Sequence, residues 1–118
     1  MLVLGGIIFK QSSEKEVVKS ITIGAILPLT GPTAQLGQEE KKGLLMAMDE
    51  LNSHSSKPNF RLVVEDSKGT AKDGVVAAHK LIESDQAQIV FTSLTPVSQA
   101  IGPQFSQPNS LLIVFGMD

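Results

Sequence analysis

Hydrophobic and polar positions alternate between two patterns along the chain. Four short runs rich in Ile, Val, Leu and Phe lie at Ile21–Leu27, Arg61–Glu65, Gln88–Thr92 and Leu111–Phe115. The first, third and fourth runs show little alternation between apolar and polar residues, which is typical of strands that are covered on both faces. The four runs therefore predict four strands.

The segments between these runs carry apolar residues at helical spacing. In the first segment, Leu44, Met48 and Leu51 recur at intervals of four and three, and charged residues occupy much of the rest. The second segment runs from about Ala71 to Ser84, and the third begins at Thr95. This spacing predicts three amphipathic helices, one between each pair of consecutive strands.

Short signals mark the helix ends. Thr70 with Asp73 three residues later resembles a capping box in which Asp replaces Glu. Thr95 followed by Pro96 predicts an N-cap with proline at the first helical position. Pro103 lies inside the third helical segment, where it predicts a kink or an early end.

The alternation of strand and helix predicts an α/β fold, a Rossmann-like parallel sheet with helices on both faces. In open α/β sheets, ligands bind outside the carboxyl ends of the strands. In this chain those ends are residues 28–32, 66–69, 93–96 and 116–118. A ligand site is therefore expected in these four segments.

Composition narrows the classes of function. The chain has 118 residues, of which 42% are hydrophobic and 19% charged, which favours a folded core over disorder. A net charge of −2 and only five aromatic residues, all Phe, argue against a nucleic-acid partner. No Cys is present, which removes disulfides and thiolate chemistry. The dinucleotide fingerprint, the P-loop and the nucleophile elbow are also absent, so we predict neither a cofactor nor enzymatic activity.

The two histidines do not predict a metal site. His54 falls in the polar stretch at residues 52–59, which is predicted to be a surface loop, and His79 falls inside the second helix. Neither has a second histidine at the spacing that metal ligands require.

Residues 1–19 differ from the rest of the chain. The first nine, "MLVLGGIIF", are apolar, and a polar stretch follows them. The apolar stretch is too short to span a bilayer but has the character of a signal-peptide core. We interpret 1–19 as a possible truncated signal segment with a polar linker, and 20–118 as the folded domain. An apolar tail, or an initiator Met placed late in a longer gene, would give the same pattern.

Two strand ends carry candidate binding residues, each with a simpler structural explanation. Asp66 could bind a cation or an ammonium group, or could bond the backbone of its own loop. Thr95 could bind an anion such as a carboxylate together with the N–H groups of Val97 and Ser98. Alternatively, it could only cap its own helix.

An ordered set of segments resembles a known family. The segments are "ITIGAILPLTGPTAQLGQEEKKGLLMAMDELN", "FRLVVEDSKGTAKDGVVAAHKLIESDQAQIVFTS" and "LTPVSQAIGPQFSQPNSLLIVF". Together they resemble the start of the mature type I periplasmic binding proteins, in particular the leucine/isoleucine/valine-binding group. The resemblance implies a non-enzymatic protein outside the cytoplasm that delivers amino acids or similar small molecules to the membrane permease of an ABC importer.

The resemblance also implies a site and an extent. Thr95 matches the residue that takes the ligand carboxylate, with Ser93 and Leu94 beside it, and Leu36 matches a position that lies against the ligand. Met117 begins the next ligand-contacting loop. Because members of the family are longer and have two lobes, the resemblance implies that residues 20–118 are the amino-terminal part of lobe 1.

Two other functions are compatible with parts of the pattern. A ligand-sensing domain of a receptor or kinase can have the same first lobe. A receiver-like regulator would need acidic residues at the end of the first strand, where residues 27–30 contain none. Phosphorylation of Asp66 would support the receiver interpretation.

Overall fold

The computed structural model describes residues 20–54 and 59–116. Strands and helices alternate along these residues as predicted, which confirms the α/β class. The elements are β1 (Ser20–Leu27), α1 (Ala34–His54), β2 (Asn59–Asp66), α2 (Ala71–His79), β3 (Ile89–Ser93), α3 (Thr95–Ile101) and β4 (Leu111–Phe115). A π-helical segment, Lys80–Ser84, continues α2, and a 3₁₀ turn, Gly102–Phe105, continues α3.

The four strands form one parallel sheet in the order β2-β1-β3-β4. The register aligns their carboxyl ends: Leu27 lies opposite Asp66, and Ser93 lies opposite Phe115. Because Ile26 pairs with Thr92, Leu27 and Ser93 lie in the same row. The loops that follow all four strands therefore start from one edge of the sheet.

The helices divide between the two faces of the sheet. On one face, α2 and α3 cover a core that includes Ile26, Leu81 and Val90, all fully buried. These two helices approach closely at Gly74, where an added Cβ would lie 2.8 Å from Val97 Cγ1. On the other face, α1 contributes Leu44 to a smaller core. The sheet is thus covered on both faces at its centre.

The edge strand β4 is less covered than the sequence predicts. Leu111 is 52% exposed, and the rings of Phe91 and Phe115 stack at 5.3 Å beside the smaller core, where both are only partly buried. The prediction of strands buried on both faces holds for β1 but not for β4.

Local helix signals are confirmed at two of three places. Thr70 Oγ1 accepts a 3.0 Å hydrogen bond from the Asp73 backbone N–H, as a cap should. Helix α3 ends at Ile101, and Pro103 lies in the 3₁₀ turn that follows. The N-cap of α3 is Leu94 rather than Thr95, so that prediction is wrong by one residue.

The predicted loop at 52–59 is wrong at both ends. Helix α1 continues to His54, and β2 already begins at Asn59. The Asn52 side chain makes the helix end part of the fold, because it bonds both the N–H and the C=O of Phe60 at 2.8 and 2.9 Å.

Residues 1–19 and the predicted signal segment lie outside the described residues. None of the helices within 20–54 and 59–116 is long and apolar enough to cross a membrane.

Candidate functional site

The corner between β1 and α1 forms one part of the carboxyl edge. Pro28 is fully buried, and α1 lies so close to it that an added Cβ at Gly37 would meet Pro28 O at 2.2 Å. The neighbouring Leu36, in the first turn of α1, is 45% exposed. The close approach of helix and corner therefore leaves the Leu36 side chain at the surface of this edge.

Asp66 joins this corner to the loop that follows β2. Its Oδ1 accepts hydrogen bonds from the backbone N–H groups of Leu29 at 2.8 Å, Thr30 at 3.3 Å and Lys68 at 2.7 Å. Its Oδ2 accepts a 2.6 Å bond from the Thr30 hydroxyl. One carboxylate thus holds two loops that are distant in the sequence.

The electrostatics of Asp66 agree with a structural role. Partial burial acts to raise the pKa of its carboxyl, but the hydrogen bonds from Thr30, Lys68 and Leu29 outweigh burial and hold the pKa below its usual value of 3.8. Because both oxygens already have protein donors, the carboxylate is poorly placed to receive a ligand ammonium or a phosphoryl group. Of the two roles that the sequence allows Asp66, the loop-bonding role fits this geometry.

The turn between β3 and α3 has an unusual backbone. Leu94 has φ 74° and ψ 126°, in a region that L-residues rarely adopt. Its side chain packs against the core beneath α2 and α3, and its Cδ1 would lie 3.7 Å from a Cβ added at Gly69. Strained residues of this kind are concentrated at functional sites.

Thr95 has a free hydroxyl at this turn. It is the first residue of α3 and is partly exposed, and no side-chain hydrogen bond caps the helix. The alternative that Thr95 only caps its own helix is therefore wrong. Within the described part of the chain, its hydroxyl has no hydrogen-bond partner, so it is available to a ligand.

The expected backbone donors around Thr95 are only partly available. The Ser98 N–H donates to Leu94 O at 2.9 Å, and the Ser98 hydroxyl donates to Thr95 O at 3.1 Å. Ser98 is thus occupied within the helix, and the prediction that it supplies a free N–H is wrong.

Ser93 lies beside Thr95 but is not free. It is only 2% exposed, and its hydroxyl donates a 2.8 Å hydrogen bond to Glu40 Oε2 on α1. Partial burial raises the pKa of the Glu40 carboxyl above its usual 4.5, and the Ser93 hydrogen bond opposes that rise only in part. Glu40 lies one helical turn after Leu36. The bond therefore holds the first turns of α1, which carry the exposed Leu36, close to the end of β3.

Sequence reasoning missed Glu40. It lies in the charged run "QEEKK", which resembles an ordinary solvated helix face. The missed signal is its spacing, because Leu36, Glu40, Leu44 and Met48 recur every four residues and share one stripe of α1.

Four of the five predicted ligand-contacting residues lie within the described part of the chain. Leu36, Ser93, Leu94 and Thr95 all lie at the carboxyl edge, whereas Met117 lies outside the described residues. Across 20–54 and 59–116, no three His, Asp or Glu side chains are grouped to hold a metal ion.

The chain matches a protein family along most of its length. The sequence profile described as periplasmic binding protein matches residues 20–117, which include every described residue. The profile begins at the first residue of β1.

Two curated relatives are similar in sequence. The chain is 44% identical over 64 residues to the Leu/Ile/Val-binding protein BraC3 of Rhizobium johnstonii, which is 52% of this chain and 17% of the relative. It is 32% identical over 95 residues to Leu/Ile/Val-binding protein homolog 3 of Brucella melitensis, which is 79% of this chain and 26% of the relative. The chain therefore spans about a quarter or less of these relatives.

Solved structures share the fold. An ABC transporter substrate-binding protein from Sphaerobacter thermophilus has a TM-score of 0.74 at 27% identity, over 81% of this chain and 26% of that one. The isoleucine complex of the branched-chain amino acid transporter substrate-binding protein LivJ from Streptococcus pneumoniae has a TM-score of 0.75 at 20% identity, over 84% and 29%. A solute-binding protein of an ABC transporter from Rhodopseudomonas palustris, in complex with 3,4-dihydroxybenzoic acid, has a TM-score of 0.75 at 19% identity, over 83% and 27%.

Proposed function

Because the chain belongs to the periplasmic binding protein family, we propose that it binds an amino acid or a similar small carboxylate outside the cytoplasm. We further propose that it delivers this ligand to the membrane permease of an ABC importer. We propose a binding protein and not an enzyme, because the similar proteins are named for the ligands that they bind or transport.

The ligand class is supported by what the relatives bind. Both curated relatives are described as Leu/Ile/Val-binding proteins or homologues of them. Two structural relatives hold isoleucine and 3,4-dihydroxybenzoic acid. These two ligands differ in size, ring character and amino group, but both carry a carboxylate. A carboxylate is therefore the group that we propose for recognition.

The observation that carries the proposal is the free hydroxyl of Thr95. It is partly exposed at the carboxyl edge, and no protein group within the described residues accepts its proton. A hydroxyl with an uncommitted proton can donate to a carboxylate oxygen, and hydrogen bonds to a charged acceptor are stronger than those between neutral groups. Leu36 supplies an exposed apolar surface on the same edge for the ligand's side chain.

We propose that residues 20–118 are part of one lobe of the binding protein, and that this edge is one wall of its ligand cleft. Ligand pockets usually bury most of the ligand surface, which an open edge alone cannot do. Binding of a ligand by this wall alone should accordingly be weak, so the experiment must be able to measure low affinity.

The test is an NMR titration of the ¹⁵N-labelled chain with L-leucine, L-isoleucine, L-valine and 3,4-dihydroxybenzoate. We expect at least one of these ligands to shift the amide signals of Leu36 and Thr95. L-leucinamide, which lacks the carboxylate but keeps the side chain, is the matched control and should shift Thr95 much less. If no carboxylate shifts these amides, or if leucinamide acts like leucine, the proposal fails.

A further inference from the structure

We propose that Glu40 is a positioning residue of the binding edge, which holds the turn Ser93–Thr95 in place from α1. This inference rests on the proposed function, because it assigns a role within that site. Glu40 does not need to touch the ligand to perform it.

The Glu40 side chain connects helix α1 to the end of β3. Helix α1 packs over β1 and β2, yet the Glu40 carboxylate reaches Ser93 at the end of β3, where Oε2 accepts the serine proton at 2.8 Å. Among the described residues, this is the side-chain hydrogen bond that connects α1 to β3. Ser93 is 2% exposed, so water competes little for the bond.

The turn needs such support because its backbone is strained. Leu94, which directly follows Ser93, has φ 74°. A non-glycine residue in a sparsely populated region persists only when its surroundings hold it there. The Glu40 bond fixes one side of Leu94, and the packing of the Leu94 side chain against the core fixes the residue itself.

The bond also divides the chemical roles of two neighbouring hydroxyls. A serine hydroxyl has one proton, and Ser93 gives it to Glu40, so Ser93 Oγ can only accept a further hydrogen bond. The proton of Thr95 remains available. With Glu40 ionised, Thr95 is therefore the hydroxyl that can donate to a carboxylate.

The surroundings isolate Glu40 electrostatically. Strands β1, β3 and β4 contain no titratable residue. On β2, Arg61 and Glu65 face away from α1, while Asp66 faces it but is bonded by its own loops. On α1, Glu39 pairs with Lys42 at 2.9 Å, and Lys41 is adjacent in sequence. Within the described residues Glu40 has no ion-pair partner, which agrees with the raised pKa of its carboxyl.

The test compares Glu40→Gln and Glu40→Ala with the wild-type chain, and uses Glu39→Gln as the control one residue away. A glutamine oxygen can still accept the Ser93 proton but cannot titrate. We follow the backbone amide signals of Leu94 and Thr95 by NMR from pH 7 downwards, without ligand. Each protein is then titrated with L-leucine at pH 7.

In the wild-type chain and in Glu39→Gln, the Leu94 and Thr95 amide signals should move with an inflection at the pKa of the Glu40 carboxyl. In Glu40→Gln this inflection should vanish. The variant should keep the wild-type fold, and its affinity for L-leucine should stay within about twofold of the wild-type affinity. Glu40→Ala should weaken L-leucine binding about tenfold, because the Ser93 bond is to a charged acceptor.

Two results overturn the proposal: an absent inflection in the wild-type chain, or L-leucine affinity that is unchanged in Glu40→Ala. If Glu40→Ala does not fold, the ligand-free pH titration of wild type and Glu40→Gln still tests whether Glu40 holds the turn. If the wild-type chain binds no carboxylate, the proposed function fails, but the ligand-free titration continues to test whether Glu40 holds the turn.

Discussion

The Thr30 hydroxyl donates a 2.6 Å hydrogen bond to Asp66 Oδ2, and this contact joins the loop after β1 to the loop after β2. The other carboxylate oxygen accepts three backbone N–H groups from the same two loops. The shape of the candidate binding edge therefore depends on a side chain that we do not place in contact with the ligand.

Replacing Asp66 by Ala should destabilise the chain by about 2 kcal/mol at pH 7, since several hydrogen bonds to a charged group are lost together. Urea denaturation followed by circular dichroism measures the difference. Asp49→Ala is the matched control, because Asp49 is an exposed carboxylate on α1 and should change stability little. Equal effects of the two substitutions would contradict the structural role of Asp66.

The contribution of Asp66 should also depend on pH. Its hydrogen bonds lower the folded-state pKa below the usual 3.8, so the carboxylate stabilises the fold above that pH. The stability difference between wild type and Asp66→Asn should therefore be largest near neutral pH and shrink as pH falls below about 3.8. Denaturation midpoints measured at several pH values would test this, and a difference that grows in acid would contradict it.

Glu40 should show the opposite pH dependence. Burial raises its folded-state pKa above the usual 4.5, so the folded chain holds this proton more tightly than the unfolded chain. The resulting stabilisation is fully present below pH 4.5 and is lost as pH rises through the raised pKa. Glu40→Gln should thus gain stability relative to wild type as pH rises, and denaturation at pH 4 and pH 7 compares the two.

Gly37 should be intolerant of any side chain. A Cβ there would meet the backbone oxygen of Pro28 at 2.2 Å, so Gly37→Ala must push α1 away from the β1 corner. We expect a loss of about 1–3 kcal/mol, as for other overpacked sites. Gly43 lies on the same helix with nothing within 4 Å of its added Cβ, so Gly43→Ala should instead stabilise the chain by about 0.5–1 kcal/mol. Thermal denaturation of both variants distinguishes these outcomes.

The sequence predicts the strands and the fold class well because burial on a parallel sheet leaves strong apolar runs. The run Leu111–Phe115 has the same bounds in the structure, and the parallel pairing places all four strand ends at one edge. The sequence is less informative about which side chains meet at that edge. Contacts such as Thr30 with Asp66 and Ser93 with Glu40 join residues 36 and 53 positions apart.

The error at Thr95 has a specific physical cause. A Thr-Pro pair usually marks an N-cap followed by the first helical residue. Here Leu94 takes the N-cap position with a positive φ, and the helix starts one residue earlier than the motif predicts. That shift frees the Thr95 hydroxyl from capping, which is the property on which the proposed function depends.

The most direct test of the proposed site is the affinity of Thr95 variants for L-leucine, or for whichever carboxylate of the panel binds. Thr95→Ala removes the free hydroxyl and should weaken binding by about 1–3 kcal/mol, whereas Thr95→Ser keeps the hydroxyl and should bind nearly as well as wild type. NMR titration of the three chains measures the dissociation constants. We predict that the affinity falls in the order wild type, Thr95→Ser, Thr95→Ala by that margin; equal affinity of wild type and Thr95→Ala would contradict the placement of Thr95 in the site.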